Sequence, residues 1–334
     1  MTSTPAPIAP LRGRFAQFIP SSRYTSVLVT LGLLIVMFVV GSSRYRGFAS
    51  GQVVLNLFVD NAFLIVLAVG MTFVILTGGI DLSVGSVVAL STMIAASLAR
   101  AGWPPLVVIL VVLVAGSTLG LLTGLVIHYF QIQPFIATLA AMFLARGLCY
   151  VISLDAISIT DPFFTSMAQT RIPLAAGLTI SPSVIIAIVV VIVAFVVLHY
   201  TRTGRTVYAI GGNGQSAMLM GLPVSRTKVL VYVISGFCSA VAGVLFTFYT
   251  LSGYSLTAVG MELDAIAAVV IGGTLLTGGY GFVLGSLLGV LLLGIIQTII
   301  SFEGTLSSWW TKIVIGSLLL VFIILQRLLT ARRR

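Results

Sequence analysis

The chain has 334 residues, of which 59% are hydrophobic and only 7% charged, against about 45–50% and about 25% in an ordinary soluble domain, which excludes a soluble globular protein. A formal net charge of +10 would suggest nucleic acid in a soluble chain, but here the basic residues carry meaning only once sorted by membrane side. Apolar runs of about 17 to 25 residues, the length that crosses a hydrocarbon core of about 30 Å as a helix, recur along the chain and predict an all-α, polytopic membrane protein.

Residues 1–23, with "TPAPIAP", Arg12 and Arg14, read as a flexible cytoplasmic tail. The first span is expected over 24–41; its length and the lack of an A-x-A site after it argue against a secretory signal. Further spans are expected over 62–76, 82–99, 105–127, 134–152, 183–199, 228–251, 263–276, 282–300 and 309–325, ten in all. The run 263–276 is short enough for a broken or tilted element. Residues 24–327 thus form one transmembrane domain, with a loop over 201–227 on one side and a basic tail over 328–334.

With the N-terminus inside, eleven basic residues fall on the cytoplasmic side and five outside, Arg146 lying within a span. The positive-inside rule favours that orientation, with both termini cytoplasmic. Cys149 and Cys238 fall in apolar runs and read as packing residues, and His128 and His199 close spans without metal-ligand spacing. There is no H-E-x-x-H or G-x-S-x-G motif, and a G-x-x-x-x-G-K loop is excluded because the two lysines, Lys228 and Lys312, each follow threonine. No catalytic or metal-binding residues are expected, and any ATP is hydrolysed by another chain.

Glycine occurs 34 times. Gly116, Gly120 and Gly124, then Gly281, Gly285 and Gly289, each predict a bare helical stripe for close packing. "TGGIDLSVGS" at 77–86 matches "TGGYGFVLGS" at 277–286 at five of ten positions. The echo is read either as chance or as an internal repeat, which in transporters puts interrupted helices beside the path.

An ionised Asp at mid-bilayer costs about 2.5–3.5 kcal/mol on insertion scales. Asp81 avoids much of that near a cytoplasmic helix end, as a cap on a helix starting at Leu82; the other reading is a gate. Asp60, Asn61, Glu262 and Asp264 are expected toward the outer face, as solvated end residues or as polar lining for a solute. Asn61, Thr77, Asp81, Ser83, Glu262 and Asp264 are therefore the candidates for a translocation path or gate. Arg146 is left between snorkelling and an internal pair. In the cytoplasmic loop, Asn213 can cap a short helix through Ser216, Ala217 and Met220 that stops at Gly221, an exposed element suited to docking.

"GMTFVILTGGIDLSVGS" at 70–86, "GRTVYAIGGN" at 204–213 with Ala217 and Gly221, and "LDAIAAVVIGGTLLTGGYG" at 263–281 resemble the permease subunits of bacterial ABC sugar importers of the ribose type. The resemblance covers nearly the whole chain after residue 25, and "GTLSSWWTKI" at 304–313 looks most like one of the two permeases of the galactofuranose importer. It implies an inner-membrane protein paired with a second, different permease. It also implies ATP-binding subunits that hold ATP and magnesium, and a periplasmic sugar-binding protein. The segment from Asn213 to Gly221 would match the family's coupling helix, seated in the ATPase. The rival classes are a secondary transporter driven by an ion gradient and a membrane enzyme or scaffold. Six of the seven acids read as terminal or in loops, which weighs against a proton-coupled carrier.

Overall fold

The protein is described here by a computed structural model over residues 25–175, 177–305 and 309–331. Twelve helices are present among the described residues: α1 (Thr25–Arg44), α2 (Gly51–Leu76), α3 (Val84–Arg100), α4 (Pro105–Tyr129), α5 (Pro134–Ile152), α6 (Pro162–Gln169), α7 (Pro182–Tyr200), α8 (Arg202–Leu219), α9 (Val224–Thr250), α10 (Met261–Ile271), α11 (Val283–Glu303) and α12 (Trp309–Ala331). Each of the ten expected spans corresponds to one of them. Seven, namely α1, α2, α4, α5, α7, α9 and α11, are long and apolar enough to cross a membrane.

The helix ends follow local rules. Pro opens α4, α5, α6 and α7 at the first helical position, where its missing N–H costs nothing. The Asp161 carboxylate caps α6 by accepting from the N–H groups of Phe163 at 2.9 Å and Phe164 at 3.3 Å. Two short antiparallel pairs decorate the α6 end of the bundle: β1 (Ile157–Ser158) with β4 (Ser252–Gly253), and β2 (Ile172–Ala175) with β3 (Leu178–Ile180).

Packing follows from side-chain character all round each helix. Between Leu64 and Leu76, helix α2 is almost wholly apolar and is buried on every face, as expected of a helix enclosed by others. Helices α4 and α7 expose Leu106, Leu110, Ile192 and Val193, a surface that suits lipid. Helix α9 is the second pillar, packed on α2, α3 and α4. At Gly120 a Cβ would run into the Tyr232 carbonyl of α9, and at Gly116 it would lie 2.6 Å from the Ala240 Cβ. Close approach of this kind is what draws helices together where no hydrophobic drive exists between them. Gly285 and Gly289 do the same against Gly272 and Ala268, but Gly281 precedes α11 and is not part of that stripe.

Three features differ from the sequence expectation. Helix α2 begins at Gly51, not residue 62, because the polar residues Asn56, Asp60 and Asn61 interrupt hydropathy without interrupting the helix. Helix α12 runs on to Ala331 past the expected start of the basic tail. The loop over 201–227 is mostly helix, α8, and Asn213 (φ −161°, ψ 105°) breaks it into two arms. The expected tail over 1–23, residues 332–334 and Leu306, Ser307 and Ser308 of the "GTLSSWWTKI" motif lie outside the described residues.

Candidate functional site

Helix α9 serves as a ruler. Ser235 lies eleven residues beyond Val224, about 16 Å along the helix at 1.5 Å per residue, and donates its hydroxyl to Asp81 Oδ2 at 2.7 Å. The turn after α2 therefore doubles back into the bundle before α3 starts. Asp81 lies just before a helix start, as the cap reading expected, but that helix begins at Val84, not Leu82, and the residue is only 2% exposed. Its Oδ1 accepts from the Ser83 N–H at 3.0 Å and the Ser83 hydroxyl at 2.6 Å. Ser83 occupies the N-cap position and makes no cap bond of its own, because its hydroxyl is committed to Asp81. Three donors and the positive end of α3 offset the cost of burying the carboxylate.

A second interrupted helix meets the first. At Gly253 a Cβ would lie 2.6 Å from the Thr92 carbonyl and 2.8 Å from the Ala96 Cβ, both on α3. At Gly85, near the start of α3, it would lie 2.8 Å from the Ala258 carbonyl and collide with the Glu262 carboxylate. The chain after α9 thus re-enters along α3 by two to three helical turns, about 10–16 Å, before α10 begins. Glu262 sits at that internal junction, where the starts of α3 and α10 approach each other, and not at an outer end. Arg146 pins the re-entrant segment, donating to the carbonyls of Ser255 at 2.5 Å and Thr257 at 2.8 Å. Its partners are backbone groups 109 and 111 residues away; an arginine two-thirds along a span was the signal, and sequence could not say what it held.

Beside this junction lies a cavity of about 900 Å³ between α2, α10, α11 and α12. Asn61 and Asp264 line it, with Asn56, Asp60, Gln297 and Lys312. Lys312 donates to Asp264 Oδ1 at 2.8 Å and Oδ2 at 2.6 Å, the one ion pair among the described residues. Asn61 is buried, donates to the Leu57 carbonyl at 2.9 Å and presses on Gly294, where a Cβ would lie 2.5 Å from its Nδ2. Sequence reasoning missed Asn56, Gln297 and Lys312; a glutamine inside the apolar run of α11 was the available signal. Thr77, Asp81, Ser83 and Glu262 do not line this cavity.

At the far end, three glycine pairs converge. The Gly279 N–H donates to the Leu76 carbonyl at 2.9 Å, joining the two echoed turns, and Gly78 (φ 78°) and Gly278 (φ 83°) adopt left-handed backbone that glycine adopts without strain. Gly211 of α8 wedges between them: a Cβ there would strike the Leu76 carbonyl and the Gly279 nitrogen. Thr77 donates back to the Val74 carbonyl at 2.8 Å. In α8, Asn213 Oδ1 accepts from the Ser216 N–H at 2.8 Å and starts the second arm. Ala217 is fully buried, packed with Ile210 and Val224, whereas Met218, Leu219 and Met220 are 61, 82 and 68% exposed, and Gly221 (φ 77°) closes the arm. Tyr208 donates to the Gly281 carbonyl at 2.7 Å; burial pushes its phenol up to about 12, so it remains a donor at neutral pH.

Residues 53–323 match the family model described as branched-chain amino acid transport system / permease component. The chain is 47% identical over 309 residues to the inner membrane ABC transporter permease protein YjfF of Escherichia coli K12, covering 92% of this chain and 93% of that one. It is 45% identical to the fructose import permease protein FruG of Bifidobacterium longum, with 91% of each covered. It is 38% identical to the ribose import permease protein RbsC of Haemophilus influenzae, with 90% and 93% covered. No solved structure matches.

Proposed function

The chain belongs to the family of the branched-chain amino acid transport system / permease component, and on that premise we propose that it is the permease subunit of an ATP-driven importer of a monosaccharide. The observation that carries the reading is the polar cavity of about 900 Å³ inside an otherwise apolar bundle. Leaving even one sugar hydroxyl unpaired in an apolar medium costs about 2–7 kcal/mol, and the amides, acids and lysine of this wall supply both donors and acceptors. Relatives named for import of fructose and ribose support a sugar as cargo. Galactofuranose is the finer assignment, supported by the resemblance at 304–313.

The end carrying α8 is then cytoplasmic and the end carrying α6 periplasmic, as the distribution of Arg and Lys favours. A periplasmic sugar-binding protein delivers the sugar to the α6 end, and a second, different permease completes the pore. Met218, Leu219 and Met220 form an exposed apolar tip that suits a groove on an ATP-binding subunit, where ATP and magnesium are held. Hydrolysis there moves α8, which is wedged by Gly211 into the turns at the ends of α2 and α10. Those turns lead directly to α3 and α11, so the motion reaches the helix junction and the cavity wall.

Uptake by the complete complex in proteoliposomes tests the reading. It is expected to require ATP, to ignore a protonophore and to favour furanose over pyranose sugars. Uptake that continues without ATP and collapses with the protonophore would transfer the chain to the secondary carriers.

A further inference from the structure

A second, smaller cavity of about 160 Å³ lies at the α6 end, between α2, α6, α7 and α9. It shares Asp60, Phe63 and Tyr249 with the large cavity, so the two adjoin. Its remaining polar groups are Arg171, Ser181 and Ser183.

Ser181 is the telling residue. It holds the N-cap position of α7 with the extended backbone (φ −88°, ψ 156°) that a capping serine adopts, yet its side chain makes no cap bond. Its hydroxyl is buried, the residue being 6% exposed, and has no partner. An unpaired buried hydroxyl destabilises the fold that holds it, and a ligand in the cavity it lines would satisfy it.

The charges narrow the chemistry. Arg171 donates to the carbonyls of Ala168 at 2.9 Å and Thr170 at 3.2 Å, which fixes its guanidinium at the rim. Among the described residues Asp60 and Arg171 form no ion pair, so a carboxylate and a guanidinium line the same small space without direct contact. An anion meets Asp60 and a cation meets Arg171. A neutral polyol suits both, because each hydroxyl donates to one and accepts from the other. The aromatic wall of Phe63 and Tyr249, with ring centroids 5.8 Å apart, offers an apolar face for the C–H side of a ring. At about 10–15 Å³ for each water-sized group, the volume suits a single sugar ring.

We infer that this pocket is a second sugar subsite, a station at which a monosaccharide pauses between its delivery and the large cavity, with Asp60 passing its hydroxyls from one to the other. The inference rests on the monosaccharide importer reading and deepens it.

The test uses the intact purified complex with single cysteines at two places, Ala168→Cys beside the small cavity and Thr311→Cys in the large one. The native Cys149 and Cys238 are buried and give little background. Galactose and ribose are the probes, and maleimide labelling is the readout. Either sugar is expected to slow labelling at 168 several-fold, and adding Ser181→Ala should remove that protection while leaving 311 unaffected. Protection at 311 without protection at 168 overturns the subsite alone. Protection at 168 that survives Ser181→Ala overturns the pocket as its source. A complex that neither protects 311 nor takes up sugar overturns the transport reading on which the inference stands.

Discussion

Asp81 is a carboxylate that three donors hold in place. Its oxygens accept from Ser83 twice and Ser235 once, linking the start of α3 to the middle of α9. Asp81→Asn retains an acceptor for both Ser83 bonds and loses only the charge assistance, and its side-chain amide can donate to the Ser235 hydroxyl. A cost of about 1 kcal/mol is expected, since bonds to charged groups contribute about 1.5–3 and neutral ones about 0.5–1.5 kcal/mol. Asp81→Ala strands both hydroxyls in the interior and should cost about 3 kcal/mol, read as a fall in thermal stability of the detergent-purified protein. If Asn unfolds the protein as badly as Ala, the charge itself holds the junction; if Asn is stable but transports nothing, the carboxylate acts as a gate.

At the scale of elements, α8 and the half-helices α3 and α10 separate packing from function. Ala217 has no exposed surface and fits beside Ile210 and Val224, so a bulky charge there would unseat the second arm of α8 from the bundle. The exposed Met218 and Leu219 are the better probes of docking. Leu219→Asp is expected to abolish ATP-driven uptake and capture of the ATPase while membrane insertion stays normal; undiminished capture would remove the tip from the interface. Ala217→Glu should instead lower the amount of folded protein. The same distinction holds for Gly221, whose left-handed backbone (φ 77°) makes a substitution there a conformational change before it is a surface change.

Across the whole molecule, the echoed turns and α8 form one junction held backbone to backbone. Gly279 reaches Leu76, and Gly211 fits where no Cβ can. Gly211→Ala must push α8 away from both turns. Uptake is expected to fall at least tenfold in assembled complexes that still hydrolyse ATP, measured side by side. Parallel loss of hydrolysis would mean that the contact serves assembly and not transmission.

What the sequence determined was what a one-dimensional pattern can encode. Hydropathy fixed the helical class and ten apolar elements, the asymmetry of arginine and lysine favoured an orientation, and the Asn213 to Gly221 arm was legible because caps and left-handed glycines are local. The echo of TGG turns was visible too, but not that the two turns touch. Tertiary structure alone decided the depth of each element. Asp81 looked like a residue at a helix end because it follows one; the chain then folds back, and only contact with Ser235 places it against the middle of α9. Asn56 and Asp60 shortened the expected α2 because hydropathy measures residues one at a time, whereas a helix tolerates polar groups that face a cavity. That cavity, the grip of Arg146 on a distant loop and the unpaired Ser181 hydroxyl all arise from pairings between residues far apart in sequence, which no local rule encodes.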